Sequence, residues 1–212
     1  MSEGGAKQWA GLSDDDTRTA LADALSLFPR RTVDPDDHKP AAVAIAVVTS
    51  PAGPAIWLTE RAPTLRAHAG QLALPGGRLD AGEDAVAAAL RELHEELGVE
   101  LQRSDVLGQL DDYPTRSGYI MTPVVVWVGD DPGVIPNPDE VAIVHRISFT
   151  ELDVAPEFGR IAGSDRPLIR LPLLGGHLHA PTAAIMYQFR EVALHRRNTR
   201  VDHMEQPRFA WE

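Results

Sequence analysis

Apolar positions along the chain fall into two rhythms. Behind Ser13-Asp14-Asp15-Asp16, a capping hydroxyl and three acids that suit a helix N-terminus, Leu21, Leu25 and Phe28 recur at helical spacing. Arg30-Arg31 suit the C-terminal end of that helix, and residues 33–40 read as loop. Ala41–Thr49 is a β-branched apolar run of the kind buried on both faces, followed by a Pro51–Pro54 turn and a second strand over Ala55–Thr59. Gln71–Leu74 predicts a short strand ending in a Pro75-Gly76-Gly77 turn, and Glu83–Leu97 a helix stopped by Gly98. Further strands are expected at Val106–Tyr113, Tyr119–Val128, Val141–Phe149, Leu168–Leu171 and His177–His179. Thr182–Arg196 reads as a closing helix with Ile185, Phe189, Val192 and Leu194 as its apolar positions. Strands mixed with a few helices predict a mixed sheet with helices on both faces.

Three segments follow. Residues 1–37 form a lead-in and flanking helix, 38–200 the main domain, and 201–212 a C-terminal tail. At 212 residues and 43% hydrophobic, the chain can bury one substantial core. Its net charge of −11 argues against a protein that coats nucleic acid, since phosphate backbones need a basic surface. The absence of cysteine excludes disulfides, thiolate metal sites and cysteine nucleophiles. The longest apolar stretch, Ala41–Val48, is far short of the roughly 20 residues of a spanning helix, so no membrane is expected and the cytoplasm is the default compartment.

The chemistry concentrates between residues 75 and 99. Val86, Leu90, Leu93 and Leu97 make one apolar stripe, while Glu92, Glu95 and Glu96 lie within roughly 100° of each other on another arc. Ala85, Ala88 and Ala89 project to nearly the same side as the acids and allow close approach. Three adjacent carboxylates repel unless water or a cation screens them, and oxygen clusters suit hard cations such as Mg²⁺ or Mn²⁺. Arg91, the one cation among the acids, can orient a carboxylate, and the glycines at 76 and 77 let backbone carbonyls reach a ligand.

Together these residues spell Gly77-x5-Glu83-x7-Arg91-Glu92-Leu93-x-Glu95-Glu96-x-Gly98-Val99, which resembles the Nudix box at every defining position. The resemblance implies an α/β fold of the Nudix type: an α/β/α sandwich with a central mixed sheet, a loop–helix–loop catalytic element, and hydrolysis that depends on Mg²⁺ or Mn²⁺. It implies Glu92 and Glu96 as principal metal ligands, Glu95 as a ligand or bridging carboxylate, and Glu83 with Arg91 as the pair that orients the helix. A carbonyl of Gly76 or Gly77 is a further candidate ligand. The general base is open among Glu95, Glu92 and a later carboxylate such as Glu140.

Upstream, Thr59, Arg61, Ala62, Arg66, Gly70, Pro75, Gly76 and Gly77 stand in register with the signature of the coenzyme A pyrophosphatase branch of the family. Trp57 replaces its first leucine and Leu74 its phenylalanine, both apolar for apolar. Thr115-Arg116-Ser117-Gly118-Tyr119 through Thr122-Pro123-Val124-Val125 also resembles this branch, so the similarity spans roughly residues 40–150. It implies a small-molecule substrate, coenzyme A or its acyl form, cleaved to 3′,5′-ADP and 4′-phosphopantetheine, with Arg61 and Arg66 gripping phosphate oxygens. The alternatives are another Nudix substrate, such as ADP-ribose, NADH or a nucleoside triphosphate, and a Nudix-fold sensor that binds without cleaving. The intact carboxylate set argues against the sensor. Relatives make a homodimer an expectation. His68 is a loop histidine that reads as structural or solvated, and His177 and His179 share one strand face with no evident third metal ligand.

Overall fold

The computed structural model describes residues 9, 11–35, 37–65 and 69–208. Arg66 and His68 therefore lie outside the described residues. Helix α1 spans Asp14–Ser26 and is capped by the Ser13 side chain, which accepts from the Asp16 N–H. It stops short of Arg30-Arg31: Pro29 disfavours helical backbone at Phe28 and has no N–H to give. The two arginines instead follow an extended path, where Arg30 donates to Asp112 and the Arg31 N–H to Asp111. Trp9, in the expected lead-in, is buried edge-on against Phe149 with centroids 5.5 Å apart.

The main sheet is built on β1 (Lys39–Thr49), flanked by β2 (Ala55–Arg61) and β7 (Tyr119–Asp130). β1 and β7 run parallel, and β1 and β2 antiparallel. Outside β2 lie β3 (Leu72–Ala73) and β8 (Val141–Ser148). Outside β7 lie β5 (Val106–Gln109) and β6 (Tyr113–Pro114). β4 (Gly76–Arg78) pairs with Ala41–Val43 at the other end of β1, so the expected glycine turn is a short strand. The expected strand over 106–113 is split for a related reason. Pro123 in β7 cannot donate, and the ladder lapses between Gln109↔Val124 and Tyr113↔Met121.

β1 is apolar on both faces because both are covered. Ala42, Ala44, Ala46 and Val48 pack with helix α2 (Ala85–Leu97) through Ala88, Ala89, Leu93 and Leu97. Alanine facing alanine lets α2 lie close to the sheet, so the approach that its small residues permit is made by the sheet. Val43, Ile45 and Val47 face the opposite core, shared with α1 and with α4 (Thr182–Phe189). α4 passes into a π-helical turn, Arg190–Leu194, where one continuous helix was expected. The result is the α/β/α sandwich with a mixed central sheet. A short helix α3 (Phe149–Leu152) follows β8 and leads to a second sheet, β9 (Glu157–Gly159), β10 (Leu168–Leu173) and β11 (Gly176–His179).

Residues 201–206 pack against the domain. Val201, Met204, Glu205 and Gln206 are buried, and Glu205, 2% exposed, accepts two bonds from Arg116 (3.0 and 2.8 Å) and one from Ser164 (2.5 Å). These partners hold the Glu205 carboxyl down to about 2, from 4.5, with the Arg116 hydrogen bonds the largest cause. A carboxylate with a depressed pKa in the folded state stabilises it above its unfolded value and loses that contribution as pH falls through the folded value. Glu205→Gln should therefore cost about 1–3 kcal/mol near neutrality, Arg116 being half-exposed and screened. The gap to wild type should close between pH about 4.5 and 2 in urea unfolding. A gap independent of pH would show that Glu205 acts by shape alone.

Candidate active site

The helix that carries the acids is placed by its caps. Asp84 accepts from the Ala87 N–H, and Gly98 closes the other end in the left-handed conformation at φ 70°, which a side chain resists. Glu83 thus precedes the first helical residue, free of the backbone ladder, and reaches back to Arg91. Arg91 donates to Glu83 Oε1 and Oε2 (2.9 and 3.0 Å), Glu92 Oε1 (2.9 Å), Glu95 Oε2 (2.9 Å) and the Arg78 carbonyl (2.9 Å). One guanidinium therefore joins the pre-helix loop, two acids of α2 and strand β4. The same bonds hold the Glu83 carboxyl below its usual range, Arg91 first and the Asp80 N–H second.

Glu92 and Glu96 turn toward β4. A Cβ added to Gly77 would overlap the Glu92 carboxylate, and one added to Gly76 would overlap the Ala42 carbonyl and Val43 of β1. Only glycines allow the strand to lie between β1 and these acids. Glu96, 4% exposed, accepts from the Gly76 N–H at 3.2 Å. Burial pushes its carboxyl up to about 7, Glu92 and Glu140 add to the rise, and the Gly76 N–H and Arg61 oppose it. Burial likewise raises Glu92 against the pull of Arg91. Glu95, 51% exposed, stands apart on the solvent side in the grip of Arg91. The Glu140 carbonyl accepts from the Ala62 N–H, which brings this carboxylate-bearing loop beside Arg61.

This donor set fits a hard divalent cation. All side-chain donors are oxygens, and the buried Glu96 carboxylate and the partly buried Glu92 carboxylate both face the glycine strand, with Arg91 paired to Glu92 alone of the two. Among the described residues, no three His, Asp or Glu side chains are placed to enclose an ion by themselves. Glu92 and Glu96 could hold one, completed by a backbone carbonyl of the Gly76–Gly77 strand, water and substrate oxygens, as such cations usually are.

Beside the acids opens a pocket of about 540 Å³. Gly76, Gly77, Arg61 and Arg78 line it, with Thr115, Ser117 and Tyr119. The β11 strand contributes His177 and His179 to the lining. Arg61, singled out from sequence, is brought to the site, and its Nε is buried without a hydrogen-bond partner among the described residues. Arg78, which lies 5.8 Å above the Tyr119 ring, was missed. Its only signal was adjacency to Gly77. Trp57 and Leu74, the two departures from the branch signature, are both buried core side chains, and Leu74 also lines the pocket.

A NUDIX domain model matches residues 38–171, well over half of the chain. The uncharacterized Nudix hydrolase NudL of Photorhabdus laumondii is 39% identical over 138 residues, 62% of this chain and 73% of that protein. Nudix hydrolase 3 of Caenorhabditis elegans is 35% identical over 131 residues, covering 60% of this chain but only 55% of that protein. Among solved structures, a MutT/nudix family protein from Enterococcus faecalis superposes with a TM-score of 0.50 at 15% identity, over 85% of this chain and 73% of that one. That likeness concerns the fold alone. The domain match covers the acidic helix, the glycine strand and Arg61 alike, and on it the chain belongs to the Nudix hydrolase family.

Proposed function

We propose that this Nudix hydrolase is a coenzyme A diphosphatase that cleaves the pyrophosphate bond of coenzyme A, and of its thioesters, to 3′,5′-ADP and 4′-phosphopantetheine. The enzyme acts on nucleoside diphosphate derivatives, the substrates of its family. What supports the finer reading is the single pocket that joins the Gly76–Gly77 strand and Arg61 to a roomy, largely apolar cleft. Coenzyme A combines a pyrophosphate with a long neutral arm, and a cleft walled by Val43, Leu72, Leu74 and Met121 suits such an arm.

In this reading Glu92 and Glu96, with a carbonyl of Gly77, would hold Mg²⁺ or Mn²⁺, which would supply neutralisation of phosphate charge and a lowered pKa for the attacking water. Arg61 lies close enough to Glu96 to act on its charge, so it clamps the pyrophosphate next to the acids, and Arg66 of the same signature assists. Glu95, the exposed acid, takes the proton from water, with Glu140 as the alternative base. Arg91 and Glu83 fix the acids in place and do not touch substrate. Water adds across the P–O–P bridge, so one phosphorus gains the oxygen and the other keeps the bridging one.

The test is a comparison of kcat/KM for coenzyme A, ADP-ribose, NADH and nucleoside triphosphates at one ionic strength. Coenzyme A should lead by at least about tenfold, a margin that one charge-assisted contact supplies. A clear lead for ADP-ribose or a triphosphate would overturn the reading.

A further inference from the structure

Alternation along β4 sends neighbouring residues to opposite faces of the sheet. Gly77 stands opposite Ala42 of β1, on the face covered by α2, where a side chain would run into Glu92. Gly76 and Arg78 stand opposite Val43 and Ala41, on the other face. The parallel register of β1 with β7 puts Ala41 beside Met121 and Lys39 beside Tyr119. Directly paired residues share a face, so Arg78, Ala41, Val43, Tyr119 and Met121 belong together, and all five line the pocket. The backbone of Arg78 is fixed, since its carbonyl accepts from Arg91 at 2.9 Å. Its side chain is exposed and, among the described residues, the guanidinium has neither a hydrogen bond nor a carboxylate partner. It rests over the Tyr119 ring, 5.8 Å from the centroid. A cation at an exposed aromatic face is held weakly, so an anion offered to Arg78 can take it from the ring. The neighbouring arginines are committed elsewhere. Arg91 is shared among Glu83, Glu92 and Glu95, and the charge of Arg61 acts on Glu96.

We propose that Arg78 is a specificity-determining residue, whose guanidinium leaves the Tyr119 ring to bind the phosphate that carries the neutral arm of the substrate, while Arg61 stays with the phosphate beside the acids. The identity of that arm as pantetheine rests on the coenzyme A reading. The assignment follows from position. Arg78 is next in the chain to Gly77, on the strand that faces Glu92 and Glu96, and it shares its own face with Val43 and Met121, which wall the cleft given to the arm. A phosphate bearing the arm lies where the glycine strand and the apolar wall meet. A guanidinium with its N–H groups free can take two oxygens of that phosphate at once. After cleavage the same group is the phosphate monoester of 4′-phosphopantetheine, so the contact persists in the product and can be read without turnover.

Calorimetry with Mg²⁺ present tests this. Wild type should bind 4′-phosphopantetheine at least about tenfold more tightly than pantetheine, which lacks the phosphate, and Arg78→Ala should cut that preference by about tenfold. The affinities of Arg78→Ala for pantetheine and for 3′,5′-ADP should each move by less than about twofold. In steady-state kinetics at one ionic strength, Arg78→Ala should raise KM for coenzyme A by about tenfold with kcat little changed. Arg78→Lys should recover part of the loss, because an ammonium keeps the charge but not the two-pronged grip. A preference that survives in Arg78→Ala overturns the assignment. So does an equal loss for 4′-phosphopantetheine and pantetheine, which would make Arg78 a part of the cleft wall and nothing more. If wild type has no such preference, the assignment is overturned even where coenzyme A is cleaved. If the preference is present and lost as stated while coenzyme A is not cleaved, Arg78 keeps its role and the substrate reading falls.

Discussion

Glu96→Gln should fold as wild type does and lose about 10³-fold or more in turnover. The substitution keeps the size of the side chain and leaves an oxygen to accept from the Gly76 N–H, so the packing around this buried position survives. What it removes is the charge. An ion held at this site would supply several kcal/mol of transition-state stabilisation, and about 4 kcal/mol corresponds to roughly 10³-fold in rate. The loss should ease partly as Mg²⁺ or Mn²⁺ is raised, because a weakened site still fills by mass action. Circular dichroism melting and turnover over a metal titration check both halves together. An unaltered rate at limiting metal would remove Glu96 from the ligand set.

Arg91→Ala is the second large effect, by a different route. Arg91 touches Glu83, Glu92, Glu95 and the Arg78 carbonyl, and through them fixes the distance between α2 and β4. Without it three carboxylates lose their common partner, two of them well covered from solvent. Loss of a group that orients metal ligands costs about 10- to 100-fold in metal affinity or activity. Arg91→Ala should show that loss in kcat and in the metal concentration for half-activity, with KM for substrate little changed. Arg91→Lys should recover little of it, since an ammonium cannot span four acceptors in the plane of a guanidinium. A variant changed only in KM would make Arg91 a substrate contact instead.

The acidic helix was legible in the sequence because its parts are contiguous. The ion pairs of Arg91 with Glu83, Glu92 and Glu95 span a few turns of one helix and its entry loop, where helical periodicity governs spacing. The β-branched run of β1 likewise announced a strand covered on both faces. The pocket was not legible, because it is assembled from segments far apart in the chain: Arg61, Arg78, Tyr119 and the hairpin with His177 and His179 meet only through the sheet topology. His177 and His179 were visible as a pair on one face, but not what that face looks onto. Local errors had local causes. Pro29 ended α1 early, Pro123 interrupted the β5–β6 ladder, and glycines expected in a turn form a strand because their missing side chains are what let β4 fit between β1 and Glu92.

Mass spectrometry of the products from coenzyme A, incubated with wild-type protein and Mg²⁺, tests the central claim most directly. The expected result is 3′,5′-ADP and 4′-phosphopantetheine in equal amounts, abolished by a chelator and restored by added Mg²⁺ or Mn²⁺. Release of inorganic phosphate with 3′-dephospho-coenzyme A, or intact coenzyme A beside rapid cleavage of ADP-ribose or a nucleoside triphosphate, would contradict it.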